Sequence, residues 1–111
     1  MIQHDFFKAL VKNFDIGIEI LENKNADYAE DGDAFKNFSL SELAGVPVAR
    51  GILVRMFDKM SRISNLLDKD GKVADEKVGD TIIDLMNYAN ILKVYLDHYR
   101  KVDKEEPNIP F

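Results

Sequence analysis

The stretch Asp75-Glu76-Lys77-Val78-Gly79-Asp80-Thr81-Ile82-Ile83-Asp84-Leu85-Met86-Asn87-Tyr88 decides how the rest of the chain is read. At about 3.6 residues per turn, Glu76, Asp80 and Asp84 follow one another along a single helical stripe, with Asn87 on the same side. Val78, Ile82, Leu85, Ala89, Leu92 and Leu96 recur at core-helix spacing on the opposite face. The pattern predicts a helix from Asp75 to about Asp103. An acid stripe opposite an apolar one is ordinarily a solvated face. Here the stripe changes character toward the C-terminus, where it meets Ile91 and Val94, flanked by Ile83 and Tyr95. A wholly wet face has no reason to turn apolar. The helix is therefore expected to be covered on two sides, with its acids looking into a cleft. Three carboxylates and an amide on one stripe are hard oxygen ligands of the kind Mg²⁺ takes, waters completing its shell.

Working outward, the first helix is predicted from His4 to about Asn23. Phe7, Leu10, Phe14, Ile18 and Leu21 recur at three- and four-residue steps, and Gly17 leaves room for a close neighbour. Glu19 and Glu22 form an E-x-x-E pair at the helix end where acids oppose the macrodipole. From Lys24 to Phe38 the chain reads as a loop rich in Asn, Asp and Gly, weighted by Tyr28, Phe35 and Phe38. Asp31-Gly32-Asp33 lacks the spacing of a calcium loop. Ser39 or Ser41 would cap a short helix, with Glu42 in capping-box register, and Gly45 would end it.

Pro47 suits the first turn of the next helix, which is predicted to run to about Asp68. Its core face is Ile52, Leu53, Met56, Met60, Ile63 and Leu67. Opposite lie Arg55, Asp58, Arg62 and Asn65, flanked by Lys59. Arginine suits bidentate recognition of phosphate or carboxylate. The same residues could pair among themselves, since Asp58 is three residues from Arg55 and four from Arg62. A basic stripe here and an acid stripe on the last helix would also complement each other across an antiparallel packing. Lys69-Asp70-Gly71-Lys72 is a turn, followed by a short lead-in. Tyr88, Tyr95 and Tyr99 line one edge of the last helix. The tail after residue 104 carries Pro107 and Pro110 and cannot be helical.

The 111 residues make one domain, residues 1–104, with 105–111 as its tail. No apolar run reaches the roughly 20 residues of a membrane span, and no secretion signal is visible, so cytoplasm is expected. The chain has no cysteine, hence no disulfides or thiolate chemistry. A net charge of −5 disfavours gripping a DNA or RNA backbone. It leaves a small nucleotide open, and also leaves an acidic surface that mimics nucleic acid toward a basic partner.

The chain resembles the small phage and bacterial domain called nucleotide modification associated domain, type one. The resemblance rests on Lys24-x-x-Asp27-Tyr28 and Asp33-x-Phe35-x-Asn37-Phe38. It continues through Arg55-x-x-Asp58-Lys59-x-x-Arg62 and Glu76-x-x-x-Asp80-Thr81-x-x-Asp84-Leu85-x-Asn87-Tyr88, covering about residues 20 to 96. It implies an all-α fold and a role in phage nucleotide metabolism or DNA modification. A more distant likeness runs to the all-α nucleoside triphosphate pyrophosphatases, the MazG-like and dimeric dUTPase group, which hold Mg²⁺ with acids from two helices. Glu19 and Glu22 would match their first pair, and Asp80 with Asp84 their second. The second pair is spaced four apart here, where that group has three.

These readings converge on an all-α bundle of three long helices and a short one, completed by self-association that buries Ile83, Ile91 and Val94. The expected activity is Mg²⁺-dependent nucleotide hydrolysis. Asp80, Asp84 and Glu76 would hold the metal, with Asp27 or Asp33 contributing from the loop. Lys24, Arg55, Lys59 and Arg62 would offset the phosphate charge, and Tyr28 or Phe35 would stack on the base. Asp58, Asn37, Asn87 and Tyr88 complete the candidate substrate-binding set. Two alternatives are a non-catalytic protein that sequesters a nucleotide or second messenger, and an acidic phage protein that inhibits a host factor.

Overall fold

Helix-forming residues at apolar three- and four-residue spacing dictate the architecture of the computed structural model, which describes residues 1–28 and 45–99. The described chain is all-α and contains no strand. Helix α1 spans Gln3–Tyr28, α2 Val48–Leu67 and α3 Lys72–Val94, and a five-residue π-helical turn, Tyr95–Tyr99, continues α3. The capped short helix expected after Ser39, and the tail, lie outside the described residues.

Helix α2 begins where the sequence places it. Pro47 precedes its first turn at φ −57° and ψ 148°, and its carbonyl accepts a hydrogen bond from the Gly51 N–H at 3.0 Å. Proline has its φ preset and lacks an N–H, and both suit a helix start. The turn into α3 hinges on Gly71 at φ 114°, a conformation that a Cβ would strain. With the reversal made at Gly71, Lys72-Val73-Ala74 contain nothing to break a helix. Helix α3 therefore starts three residues before the expected Asp75, and the anticipated lead-in does not exist. Asp75 in its first turn complements the helix dipole.

Helices α2 and α3 pack as an antiparallel hairpin, and their seam holds the core. Val48, Ile52 and Tyr95 are buried there, with Ala49, Met56, Tyr88, Ile91, Leu92 and Leu96 packed around them. Tyr95 also stacks on Tyr99, ring centroids 6.3 Å apart and planes nearly parallel. Helix α1 leans on the other side of α3. Helix α3 is thus contacted by two helices, as expected, but its acids do not look into a cleft. Glu76, Asp80 and Val94 are exposed and only Asp84 is half-buried. Ile91, expected to await a second copy, packs on the α2–α3 core.

Three sequence expectations need correction. The buried face of α3 is rotated from the predicted one. Thr81, Asn87 and Tyr95 are buried and Asp84 and Tyr88 half-buried, whereas Ile82 and Ala89 are exposed. Two helices packing on different sides leave no single apolar stripe to define the core. The buried Thr81 hydroxyl is satisfied by donating to the Lys77 carbonyl one turn back, at 2.6 Å. On α2, Met60 and Leu67 are exposed, while Lys59 turns its stem toward α3. On α1, Phe7, Leu10, Phe14 and Ile18 were expected in the core and instead stand exposed.

The α1 end also differs. The helix continues through Asn25-Ala26-Asp27-Tyr28, so Lys24, Asp27 and Tyr28 belong to its last turns rather than to a loop. Tyr28 follows Leu21 by seven residues, so the apolar spacing of α1 runs on past Asn23.

Candidate functional site: a cationic groove between α2 and α3

The outer edge of the α2–α3 hairpin carries a groove of about 340 Å³ lined by Arg55, Asp58, Lys59, Arg62 and Tyr88. Four of these come from a single stripe of α2. Residues 55, 58/59 and 62 are three and four apart, so a helix sets them above one another on one side. Tyr88 comes from α3, where its half-buried ring packs against the Val48–Ile52 cluster. All five were singled out from the sequence, and the hairpin brings them to one place.

The charges of the groove are ordered by one inter-helical ion pair. Lys59 Nζ lies 3.3 Å from Asp84 Oδ2, with both side chains about one-quarter to one-third exposed. This is the complementarity expected between the basic stripe and the acid stripe. It engages the most C-terminal acid of that stripe; Glu76 and Asp80 remain exposed on turns beyond. A pair this accessible contributes roughly 0.2–1 kcal/mol. Asp84→Asn is accordingly expected to leave the melting temperature within about 5 °C of the parent, read by circular dichroism. A larger fall would show that the pair carries the hairpin.

The remaining sequence candidates divide by location. Asn87 was placed on the acid stripe as a ligand contact. The structure puts it in the α1–α3 interface instead, where its amide donates a buried hydrogen bond to the Gly17 carbonyl at 3.1 Å. Its amide therefore faces α1, away from the groove. Gly17 is the close-approach glycine read from the sequence, and Asn87 is its neighbour. Lys24 is exposed near the end of α1. The side chains of Asp27 and Tyr28, and residues Asp33, Phe35 and Asn37 entirely, lie outside the described residues.

The sequence reading named Lys59 as a phosphate-facing cation at the flank of the basic stripe and did not anticipate that it reaches Asp84 on α3. The signal was available in the hairpin itself. A tight turn at 68–71 sets α2 and α3 antiparallel, and that brings the middle of α2 opposite the middle of α3.

Among the described residues no three His, Asp or Glu side chains come together as a ligand group. Asp80 and Asp84, one turn apart, offer two carboxylates at most. That number matches Mg²⁺ held by one or two carboxylates together with substrate phosphates and waters, rather than by an all-protein cage. Among the described residues no helix is long and apolar enough to cross a membrane.

Compared with protein-family models, with curated proteins and with solved structures, the chain matches none.

Proposed function

We propose that this chain binds a nucleotide in the α2–α3 groove, its phosphates held by Arg55, Lys59 and Arg62 and its base or sugar set against Tyr88. One observation carries the reading: the sign of the charge is inverted there. The whole chain has 15 basic and 20 acidic residues, a net −5, yet the groove lining has three cations to one acid. Its volume of about 340 Å³ falls within the roughly 300–1,000 Å³ of small-molecule sites. The guanidinium groups of Arg55 and Arg62, two turns apart with the Lys59 ammonium between them, present donors suited to phosphate oxygens, and the tyrosine supplies a flat apolar wall.

Asp84 adjoins this groove through its pair with Lys59, and with Asp80, exposed one turn before it on α3, it is the residue that would hold Mg²⁺ alongside the phosphates. Bound there, Mg²⁺ would supply charge neutralisation and polarise the phosphate oxygens. Phosphates entering the groove compete with Asp84 for Lys59, which frees the carboxylate for the cation. Hydrolysis is the activity this arrangement serves.

The test is a thermal-shift screen of nucleoside mono-, di- and triphosphates and cyclic dinucleotides, with and without Mg²⁺. A ligand at a hundred times its dissociation constant adds about 2.7 kcal/mol to stability. Arg62→Ala is expected to weaken the hit about tenfold to a hundredfold, the worth of a charged hydrogen bond, without moving the melting temperature of the free protein. Product that forms only with Mg²⁺ and vanishes in Asp84→Asn assigns the hydrolase. Ligand recovered unaltered assigns sequestration. No shift with any nucleotide overturns the proposal.

A further inference from the structure

The first half of α1 is the least covered part of the described chain. Every residue from Met1 to Ile16 is exposed. This includes Phe7 at 55%, Val11 at 57% and Phe14 at 55%, with Ile18 at 43% beyond the buried Gly17. These four residues and Leu21 recur at alternating four- and three-residue steps, the spacing of a coiled-coil seam. His4 extends the same line by one layer. The open surface along it is formed by His4, Phe7, Lys8, Val11, Lys12 and Asp15. Gly17 and its neighbour Asn87 flank the seam, so the packing of α1 on α3 leaves the seam itself open.

We propose that this seam is closed by the α1 helix of a second copy of the chain, lying antiparallel. Two observations select that occupant. The first is charge. Lys8 and Asp15 flank the seam on the same side, one heptad apart. Antiparallel pairing about the point between Val11 and Phe14 sets Val11 against Phe14 of the partner subunit and Phe7 against Ile18 of the partner subunit. It also sets Lys8 beside Asp15 of the partner subunit and repeats that contact by symmetry, as an isologous interface must. Parallel pairing sets Asp15 opposite the apolar Leu10 of the partner subunit and gains no ion pair.

The second observation is area. Phe7 and Phe14 each leave about half of their surface open, and with Leu10, Val11 and Ile18 the patch reaches on the order of 500 Å². That is near the upper limit for a lone soluble chain, and more than half of the roughly 800 Å² per partner of a stable interface. The small α2–α3 core makes the covering more valuable. This interface is separate from the α2–α3 groove and does not depend on what binds there.

The test uses the full chain and two charge reversals, Lys8→Asp and Asp15→Lys, followed by sedimentation equilibrium. The parent is expected to be a dimer. Each reversal turns both attractive contacts repulsive and is expected to weaken dimerisation about tenfold or more. An equimolar mixture of the two variants restores the dimer mass, because one brings acids and the other bases to both positions. The double variant carrying both reversals also restores it, which shows that the substitutions leave the fold intact. Three results would overturn the proposal: a monomeric parent, as would follow if another segment of the chain covered the seam; a dimer indifferent to both reversals; and variants that mixing fails to rescue.

Discussion

Ile52→Ala is expected to remove about 2–5 kcal/mol of stability, the range for truncating a fully buried aliphatic side chain. Ile52 is the one large residue with no exposed surface among the described residues, and it sits at the centre of the α2–α3 seam. Val48 lies one turn before it and Met56 one turn after, with Tyr95 facing from α3. Alanine leaves a cavity whose walls belong to two long helices, and neither can shift inward without disturbing the other contacts of the seam, among them Met56, Tyr88, Ile91 and Leu92. The cost therefore belongs toward the upper part of the range. At about 4–8 °C per kcal/mol for a domain near this size, the melting temperature should fall by roughly 10–30 °C. Thermal and urea denaturation by circular dichroism measure it. A loss under about 1 kcal/mol would mean that the hairpin seam is not the core.

Gly17→Ala is the second large effect, and its sign runs against helix propensity. Inside a helix, alanine is favoured over glycine by about 1 kcal/mol. Here a Cβ on residue 17 would stand 2.6 Å from Asn87 Oδ1, closer than real contacts allow. The amide cannot yield freely, because it is buried and donates to the Gly17 carbonyl at 3.1 Å. Displacing it breaks that bond and strands a buried polar group, which costs about 1–3 kcal/mol. Overpacking of the interface adds about 1–3 kcal/mol. The net expectation is a loss of about 1–5 kcal/mol, with α1 loosened from α3. Asn87→Ala removes both the bond and the obstacle, so the double variant should be more stable than the sum of the single losses predicts. The cycle is read from four urea denaturation curves, with a coupling of about 1 kcal/mol or more expected. Simple additivity would show that Asn87 does not rest on Gly17.

These two residues also mark how far the sequence could be read. Gly17 stood out because a glycine inside a helical pattern has a packing reason when it is tolerated, and that reason proved to be Asn87. Asn87 itself was misassigned. Its position on the acid stripe made it look like a ligand contact, because helical periodicity reports angle around one helix and says nothing of which neighbour occupies that angle. The groove residues of α2 were found for the opposite reason. Arg55, Asp58, Lys59 and Arg62 share one stripe of one helix, so local geometry alone gathers them, and only Tyr88 had to be delivered by packing.

The exposed seam of α1 shows the same limit from another side. Phe7, Leu10, Phe14 and Ile18 were read as a core face from their spacing and are exposed instead, because the pattern shows that a face is apolar and not whether anything within the chain packs on it.

By itself the sequence determined that this protein is all-α, where α2 begins, where the hairpin turns, and which residues form the basic and acid stripes. Those are consequences of backbone propensity and of spacing along one helix, both local. Only the tertiary structure decided which face of α3 is buried, that Lys59 meets Asp84, that Asn87 serves Gly17, and that the α1 seam stays open. Each of those depends on which helices become neighbours, and that is set by the free energy of packing whole faces against one another.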